Sequence, residues 1–207
     1  MSGPLSPQAC AAECGVSRET LQRLEAYVAL LAKWQARINL VGPATMADPW
    51  RRHILDSAQL IPYLASGAIL DIGTGAGFPG LVLAILDGDR AVHLVESDQR
   101  KCAFLNEAAR VTGAKVTIHP ARIEAVPAFP VGVVTARACA ALDKLLAWAE
   151  RFAGETTECL FLKGEGVAGE LTQARESWKM SSESFPSRSD PRGAILRIKG
   201  FSRVRES

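Results

Sequence analysis

Short apolar runs alternate with longer amphipathic segments along the chain from Ala68 onward. The apolar runs predict strands, and they cover residues 68–72, 91–96, 115–119, 131–135 and 159–163. The segments between them predict helices over residues 78–86, 98–112 and 142–152, with a short turn at 121–125. Strands that alternate with helices in this way indicate a parallel, doubly wound α/β sheet with right-handed crossovers.

The last part of the chain departs from this alternation. After a predicted helix near residues 166–175, two further runs cover residues 178–185 and 193–199. The turn-rich stretch between them contains no helical pattern, so the two runs predict an antiparallel hairpin. The fold class is therefore α/β, with a mostly parallel seven-stranded sheet that ends in an antiparallel hairpin.

The residues before the first strand form predicted helices. Ser6-Pro7 and Ser17 have the form of helix N-caps, and Asp48-Pro49 begins another helical stretch. One face of the second helix is apolar, with Leu21, Leu24, Val28, Leu31 and Trp34. We interpret residues 1–65 as a helical N-terminal extension, and residues 66–207 as the cofactor-binding α/β core, of a single domain.

Composition places the chain among ordinary proteins of the cytosol. Apolar residues make up 48% and charged residues 22%, and no window approaches the 18 apolar residues of a membrane span. The five cysteines are odd in number and scattered, and the N-terminus lacks a secretory signal pattern, so we expect reduced thiols and a cytoplasmic protein. His93 and His119 have no ligand partners at metal-binding spacing, so no metal is expected. The lack of an apolar window of membrane-spanning length means that no membrane contact is expected either.

The net charge of +2 is too small to identify a nucleic-acid binder, but its distribution is uneven. From Leu171 to the end there are eight Lys and Arg residues against four acidic residues. This basic end suggests contact with a polyanion, and a merely solvated tail is an equally open interpretation.

Glycines follow the first predicted strand closely. The strand leads into Asp71, and Gly73, Gly75, Gly77 and Gly80 come within the next nine residues. Glycine permits positive φ and lets a ligand lie against bare backbone. The helix predicted from residue 78 would point its free N–H groups at this turn, which suits a nucleotide-type cofactor.

Two cofactors compete for this loop. Gly75-x-Gly77-x-x-Gly80 matches the dinucleotide fingerprint, and Glu96 lies at the distance along the chain where a carboxylate binds ribose hydroxyls. However, Asp71 would repel a pyrophosphate, and the sheet ends in a hairpin where a second mononucleotide half would need parallel units. These features favour S-adenosylmethionine, which carries a sulfonium and no phosphates.

Several short motifs then narrow the class of protein. They are Asn39-Leu40, Arg52-His53-Ile54-Leu55-Asp56-Ser57, Gly73-Thr74-Gly75-Ala76-Gly77-Phe78-Pro79-Gly80, Arg122-Ile123-Glu124, Ala136-Arg137-Ala138 and Leu162-Lys163-Gly164. In this order and spacing they resemble the ribosomal RNA small-subunit methyltransferase G family, also called glucose-inhibited division protein B. The resemblance covers residues 39–199. It implies a Rossmann-like class I methyltransferase that uses S-adenosylmethionine and methylates N7 of one guanine, with 16S ribosomal RNA or the small ribosomal subunit as its partner.

The resemblance also implies roles for individual residues. Those it places around the cofactor are Asp71, Gly73, Thr74, Gly75, Gly77 and Phe78 in the loop, Glu96 on the ribose, and Ile123 and Glu124 beside the adenine. Arg137 is placed next to both cofactor and substrate, where Ala136 lacks the hydroxyl of the serine that the family often has. Those it places around the RNA pocket are Asn39, His53, Arg122, Lys163 and Arg192.

The expected chemistry needs little more than alignment. N7 of guanine has an in-plane lone pair and no proton, so no general base is required, and positioning alone can supply roughly 7–11 kcal/mol. His53 could instead be a structural histidine paired with Asp56. Three other functions stay open: a small-molecule methyltransferase, an NAD-dependent oxidoreductase that rests on the Gly75–Gly80 pattern alone, and a non-catalytic RNA-binding protein.

Overall fold

The computed structural model describes residues 3–137 and 139–204. Its strands are β1 Ile69–Ile72, β2 Val92–Val95, β3 Val116–His119, β4 Val131–Arg137, β5 Ala153–Lys163, β6 Trp178–Pro186 and β7 Ala194–Arg203. They form one sheet in the order β3-β2-β1-β4-β5-β7-β6. Strands β1 to β5 pair in parallel, and β7 is antiparallel to both of its neighbours. The predicted fold class is confirmed.

Helices cover both faces of this sheet. They are α1 Pro7–Cys14, α2 Arg18–Gln35, α3 Asp56–Ala58, α4 Gly80–Leu86, α5 Gln99–Thr112, α6 Leu142–Ala149 and α7 Val167–Ser177. Apolar residues of α2, α4 and α5 pack on one face, together with Ile69 of β1, while α6 and α7 pack on the other with Leu70. Because successive strand residues point to opposite faces, a strand covered on both sides is apolar throughout, as β1 largely is.

The N-terminal helices begin where their caps predict. The Ser6 hydroxyl accepts the Ala9 N–H at 3.1 Å, and the Ser17 hydroxyl accepts the Thr20 N–H at 3.1 Å. After Asp48-Pro49 the chain forms a π-helical segment, Trp50–Leu55, which continues into α3. The π-helical geometry is a finding that hydrophobic periodicity does not reveal.

Several element boundaries differ from the sequence prediction, and those of α4 and β5 have a clear physical reason. The helix predicted from residue 78 begins at Gly80, because the amides of Gly77 and Phe78 still donate to the Thr74 carbonyl in the preceding turn. Strand β5 begins at Ala153 rather than at residue 159. Its first four residues are exposed and therefore lack the apolar pattern that marked the rest of the strand.

The two strand histidines contact each other across β2 and β3. His93 Nδ1 lies 3.1 Å from His119 Nε2, and the His93 ring packs 4.5 Å from the ring of Phe129. Neither the spacing nor the periodicity of the sequence indicates this pairing. Within the described part of the chain, no group of three or more His, Cys, Asp or Glu side chains could hold a metal ion. In the same residues no helix combines the length and the apolar character needed to cross a bilayer.

Candidate active site

Two cavities meet at the carboxyl edge of the parallel strands. The larger cavity, of about 470 Å³, lies between residues 73–78, the π-helical segment, the end of β5 and the loop from β6 to β7. The smaller cavity, of about 320 Å³, lies between the ends of β1 and β2, the turn Ile123–Ala125 and α6. Gly73 lines both of them. This edge is where open α/β sheets bind ligands.

The glycine loop, residues 73–80, has three glycines with positive φ. Gly73, Gly75 and Gly77 have φ values of 63°, 60° and 95°. A Cβ built on Gly77 would lie 2.7 Å from the Tyr27 hydroxyl, so this glycine serves packing. A Cβ on Gly75 would meet nothing closer than 3.9 Å, so it would point into open space along the larger cavity. Of these two glycines, Gly75 is therefore the one that leaves backbone bare for a ligand.

Glu96 connects the glycine loop to the end of β2. Its Oε2 accepts the Gly75 N–H at 3.1 Å, and its Oε1 accepts the Asp98 N–H at 2.8 Å. The side chain is buried and lines the smaller cavity. Since a carboxylate has about four lone-pair sites, each oxygen retains capacity for one more hydrogen bond.

The carboxylate of Asp71 shapes the loop from beneath. It accepts hydrogen bonds from the Thr74 hydroxyl at 2.5 Å, the Thr135 hydroxyl at 2.8 Å and the Gly80 N–H at 2.9 Å. Complete burial raises the pKa of Asp71 to about 6, against the opposing effect of these three hydrogen bonds. Asp71 lines neither cavity, so it does not face a ligand as the sequence analysis expected. Its carboxylate instead accepts the Gly80 N–H, the first amide of α4. Thr74 shares this role and also lines the larger cavity.

Arg137, at the end of β4, brings several elements together. Its NH1 nitrogen donates to the Arg52 carbonyl at 3.0 Å, to His53 Nδ1 at 3.1 Å and to Asp56 Oδ2 at 3.2 Å. Its guanidinium carbon lies 4.9 Å from the centre of the Phe78 ring. Among residues 3–137 and 139–204, nothing within hydrogen-bonding distance accepts from the other two guanidinium nitrogens. Those nitrogens therefore remain available to a ligand in the larger cavity.

His53 is 3% exposed and stacks on Phe78, with ring centres 4.7 Å apart. An arginine cannot accept a hydrogen bond, so His53 Nδ1 is the acceptor from Arg137 and Nε2 carries the proton. Nε2–H then donates to the Thr45 hydroxyl at 2.9 Å, and this hydroxyl donates to the Gly42 carbonyl at 2.6 Å. Burial, reinforced by Arg137, lowers the pKa of His53 to about 3. The alternative pairing of His53 with Asp56 is wrong, because Arg137 occupies the position between them.

This environment predicts that His53 stays neutral at physiological pH. We expect its ring C–H chemical shifts, followed by NMR, to stay constant between pH 5 and pH 8. The unfolded chain binds a proton at this histidine near pH 6.5 and the folded chain near pH 3. The contribution of His53 to the free energy of unfolding is therefore complete above pH 6.5 and declines as the pH falls toward 3, by about 2 kcal/mol at pH 5.

A His53→Gln variant is the control for this prediction. Glutamine cannot titrate, so urea unfolding of the variant should weaken less between pH 7.5 and pH 5 than that of the wild-type chain. An NMR midpoint near 6.5 for His53 would show that its ring is solvated and would contradict the buried geometry.

Sequence reasoning missed a group of buried hydrogen bonds that links Asp56 and Gln59 to the loop from β6 to β7. Asp56 Oδ1 accepts the Ser189 hydroxyl at 2.5 Å and Gln59 Nε2 at 3.0 Å. Gln59, 2% exposed, also accepts the Arg188 N–H at 2.8 Å. Arg52 adds an ion pair with Asp190 at 2.7 Å. The loop from β6 to β7 is thereby fixed against the segment that holds Arg137. Its only sequence signal is the three-residue spacing of Asp56 and Gln59 on one helical face.

The other residues predicted for the RNA pocket occupy different places. Lys163 lines the larger cavity, and its 7% exposed side chain donates to the Ala140 carbonyl at 2.9 Å and to Glu170 at 2.8 Å. Arg192 is 74% exposed and lies 3.6 Å from Glu165, on the rim rather than the lining of the larger cavity. Arg122 is exposed on the smaller cavity.

Asn39 is separated from the predicted pocket. It is exposed and lines a third hollow, of about 240 Å³, together with Arg37, Arg100 and Lys101. Its neighbour Leu40 lines the larger cavity instead, so the chain passes from one to the other at this point. Ala138, named in the sequence analysis, and Arg205, one of the eight cations of the basic end, lie outside the described residues.

Ile123 and Glu124, the pair predicted to lie beside the adenine, both line the smaller cavity. Some of their polar atoms already form hydrogen bonds within the protein. The Ile123 carbonyl accepts from Arg151 at 2.7 Å, which leaves the buried Ile123 side chain as its contribution to the smaller cavity. Glu124 Oε1 accepts from Trp148 Nε1 at 2.9 Å, and the Lys144 ammonium lies 4.9 Å from the Trp148 ring centre. Sequence reasoning missed Lys144 and Trp148, which come from α6 on the far side of this cavity.

Comparison with known proteins places this geometry in a family context. The family model described as rRNA small subunit methyltransferase G matches residues 20–199. A protein of Rhodospirillum rubrum named ribosomal RNA small subunit methyltransferase G is 58% identical over 196 residues, covering 94% of this chain and 97% of that one. A protein of the same name from Paramagnetospirillum magneticum is 54% identical over 203 residues, covering 97% of this chain and 98% of that one.

Solved structures show similarity in fold. A ribosomal protein L11 methylase from Lactobacillus delbrueckii subsp. bulgaricus has a TM-score of 0.58 at 18% identity, over 73% of this chain and 77% of that one. A TehB-like SAM-dependent methyltransferase from Corynebacterium glutamicum has a TM-score of 0.56 at 16% identity, over 84% of this chain and 98% of that one. At such low identity these matches concern the arrangement of sheet and helices alone.

Proposed function

The chain belongs to the ribosomal RNA small subunit methyltransferase G family, and on this premise we propose that it methylates N7 of one guanine in 16S ribosomal RNA. The methyl donor is S-adenosylmethionine. The premise rests on a family match over residues 20–199 and on relatives of 58% and 54% identity along nearly the whole chain.

The residues of the smaller cavity, together with the glycine loop that runs from it along the larger cavity, fit this donor. Glu96 has one free hydrogen-bonding site on each oxygen, which suits the two ribose hydroxyls. Gly75 leaves backbone open to the ligand. Asp71 occupies the Gly80 N–H, the group that a pyrophosphate would use at the start of α4. A ligand with a ribose and no phosphates therefore fits this site better than a dinucleotide does.

Bound at this site, S-adenosylmethionine supplies a methyl group activated by its sulfonium. The residues of the chain have to hold the acceptor base in line with that methyl group and to exclude other orientations. N7 of guanine carries no proton, so the neutral His53 is not needed as a base. We assign it to holding Arg137, together with Asp56 and the Arg52 carbonyl.

One observation carries the proposal: Arg137 lies against Phe78 of the glycine loop and also lines the larger cavity. This position supports a role for Arg137 beside both the donor and the acceptor. A guanine in the larger cavity can offer O6 to the Arg137 guanidinium, while N7 stays free for methylation. Lys163 lines the same cavity and completes its cationic lining.

Methyl transfer from labelled S-adenosylmethionine tests this proposal. The protein is incubated with 16S ribosomal RNA and, separately, with small ribosomal subunits, and the labelled nucleotide is mapped. We expect a single 7-methylguanosine. Label on another atom or base would contradict the N7 assignment, and transfer to neither substrate would favour the small-molecule alternative.

A Glu96→Gln variant probes the donor site separately. Glutamine offers one acceptor oxygen in place of two, so either a ribose hydroxyl or one of the two amides loses its partner. We expect the Kd for S-adenosylmethionine, measured by calorimetry, to rise roughly tenfold to a hundredfold. Glu107→Gln is the matched control, since Glu107 accepts one hydrogen bond from Trp34 and lines neither cavity. Equal affinities in the two variants would mean that Glu96 does not hold the donor.

A further inference from the structure

The basic end of the sequence is largely neutralised in the fold. Five of its cations form ion pairs: Arg188 with Glu13 at 3.2 Å, Arg192 with Glu165 at 3.6 Å, Arg197 with Glu158 at 2.7 Å, Lys199 with Glu158 at 3.4 Å, and Arg203 with Glu150 at 3.2 Å. All four of these acids precede Leu171, so a count within the C-terminal segment could not include them. The polyanion contact predicted for this end therefore loses most of its basis.

A second group of cations, with fewer acidic partners, lies in the third hollow. We call its cationic side chains, Arg37, Arg100 and Lys101, the basic hollow. Within residues 3–137 and 139–204, Arg37 and Lys101 form no ion pair, while Arg100 lies 3.4 Å from Asp98. The Asp98 carboxylate is also occupied as the cap of α5, where it accepts the amides of Arg100 at 2.8 Å and Lys101 at 3.3 Å. One partly committed acid thus faces three cations.

The position of the basic hollow relates it to the candidate active site. Asp98 follows Glu96 of the smaller cavity by two residues, and Asn39 of the hollow directly precedes Leu40 of the larger cavity. The hollow therefore borders both cavities through continuous backbone. An RNA strand with one nucleotide in the larger cavity has its neighbouring phosphates outside that cavity, and the hollow adjoins it where Asn39 precedes Leu40.

We propose that the basic hollow binds a backbone phosphate of the substrate RNA next to the methylated nucleotide. This inference rests on the proposed function, because it takes RNA as the substrate. The Arg37 and Arg100 guanidiniums offer forked donors that match phosphate oxygens, and Lys101 adds a point charge. The Asn39 amide lies among them as a neutral donor. The hollow holds the strand in register and does not read its sequence.

The test compares two double variants that remove equal charge. Arg37→Gln with Lys101→Gln removes the unpaired cations of the hollow, and Arg175→Gln with Lys179→Gln removes two cations of the basic end that form no ion pair in the described structure. Binding of a 16S ribosomal RNA transcript is measured by fluorescence anisotropy at several salt concentrations. Affinity for S-adenosylhomocysteine is measured by calorimetry as a check on the fold.

We expect the hollow variant to bind the transcript roughly tenfold or more weakly, and the slope of log K against log salt to fall in magnitude by roughly 0.7–0.9, the value for one phosphate. The basic-end variant should bind as the wild type does, and both should retain S-adenosylhomocysteine affinity. Unchanged RNA binding by the hollow variant would overturn the inference, as would a larger loss in the basic-end variant. Failure of the proposed function would appear differently, as wild-type protein that binds the transcript but transfers no methyl group to it.

Discussion

Replacing Arg137 with alanine should lower kcat for methylation of 16S ribosomal RNA by roughly 100- to 1,000-fold, the cost typical of losing one preorganised donor beside a reacting group. Arg137 contacts Phe78 of the glycine loop on one side and lines the larger cavity on the other. Its removal leaves the guanine without its positioning donor and leaves His53 and Asp56 without their shared partner. Single-turnover methyl transfer at saturating donor and RNA measures the effect.

The conservative Arg137→Lys variant separates charge from shape. A lysine keeps the positive charge but cannot donate to three acceptors and to a base edge at once, so we expect an intermediate rate. Arg203→Ala is the matched control, because Arg203 also lies over an aromatic ring, that of Trp178 at 4.6 Å, but outside both cavities. A rate for Arg137→Ala within a few-fold of wild type, in a folded protein, would remove Arg137 from the proposed chemistry.

The second large effect is expected at the glycine loop. Gly75→Val should weaken S-adenosylmethionine binding by roughly 100-fold or more, which corresponds to about 2.8 kcal/mol. The valine side chain would point into the space that Gly75 leaves open along the larger cavity, where backbone is expected to meet the donor. Calorimetry with S-adenosylmethionine measures the loss.

The backbone conformation of Gly75 requires a control of its own. Its φ of 60° costs a non-glycine residue roughly 1–2 kcal/mol wherever it occurs. Gly113 has a φ of 66°, nothing within 4 Å of a built Cβ, and a place at the end of α5 outside both cavities. Gly113→Val should therefore lower the free energy of unfolding by a similar amount and leave donor affinity intact. Equal donor affinity in the two variants would show that the loop has been assigned to the wrong ligand surface.

Local signals in the sequence were sufficient for the sheet and for the glycine loop. Apolar runs mark strands that are covered on both faces, and closely spaced glycines mark a turn with positive φ, so both features depend on neighbours along the chain. The start of β5 escaped this reasoning because residues 153–156 are exposed and carry no apolar pattern. In that segment only Ala153 pairs with β4, opposite Val131, and the regular pairing resumes at Glu158 after a shift in register.

Features that depend on distant partners were beyond the sequence. The Asp71 carboxylate was expected to face the ligand. In the fold it instead accepts hydrogen bonds from the Thr74 and Thr135 hydroxyls and from the Gly80 N–H. The basic C-terminal end was expected to attract a polyanion, but residues such as Glu13 and Glu150 neutralise it from elsewhere. The number of charged residues in one segment therefore does not show how many of them form ion pairs with distant segments in the fold.

The contact between α2 and the glycine loop gives the N-terminal helices a thermodynamic role. The buried Tyr27 hydroxyl donates to the Ala76 carbonyl, and its ring packs 5.2 Å from that of Phe78. A ligand that binds only when this loop is formed stabilises everything on which the loop depends, by RT ln(1 + [L]/Kd). We therefore expect bound methyl donor to stabilise the packing of the N-terminal helices as well as the glycine loop, by an amount that grows with donor concentration.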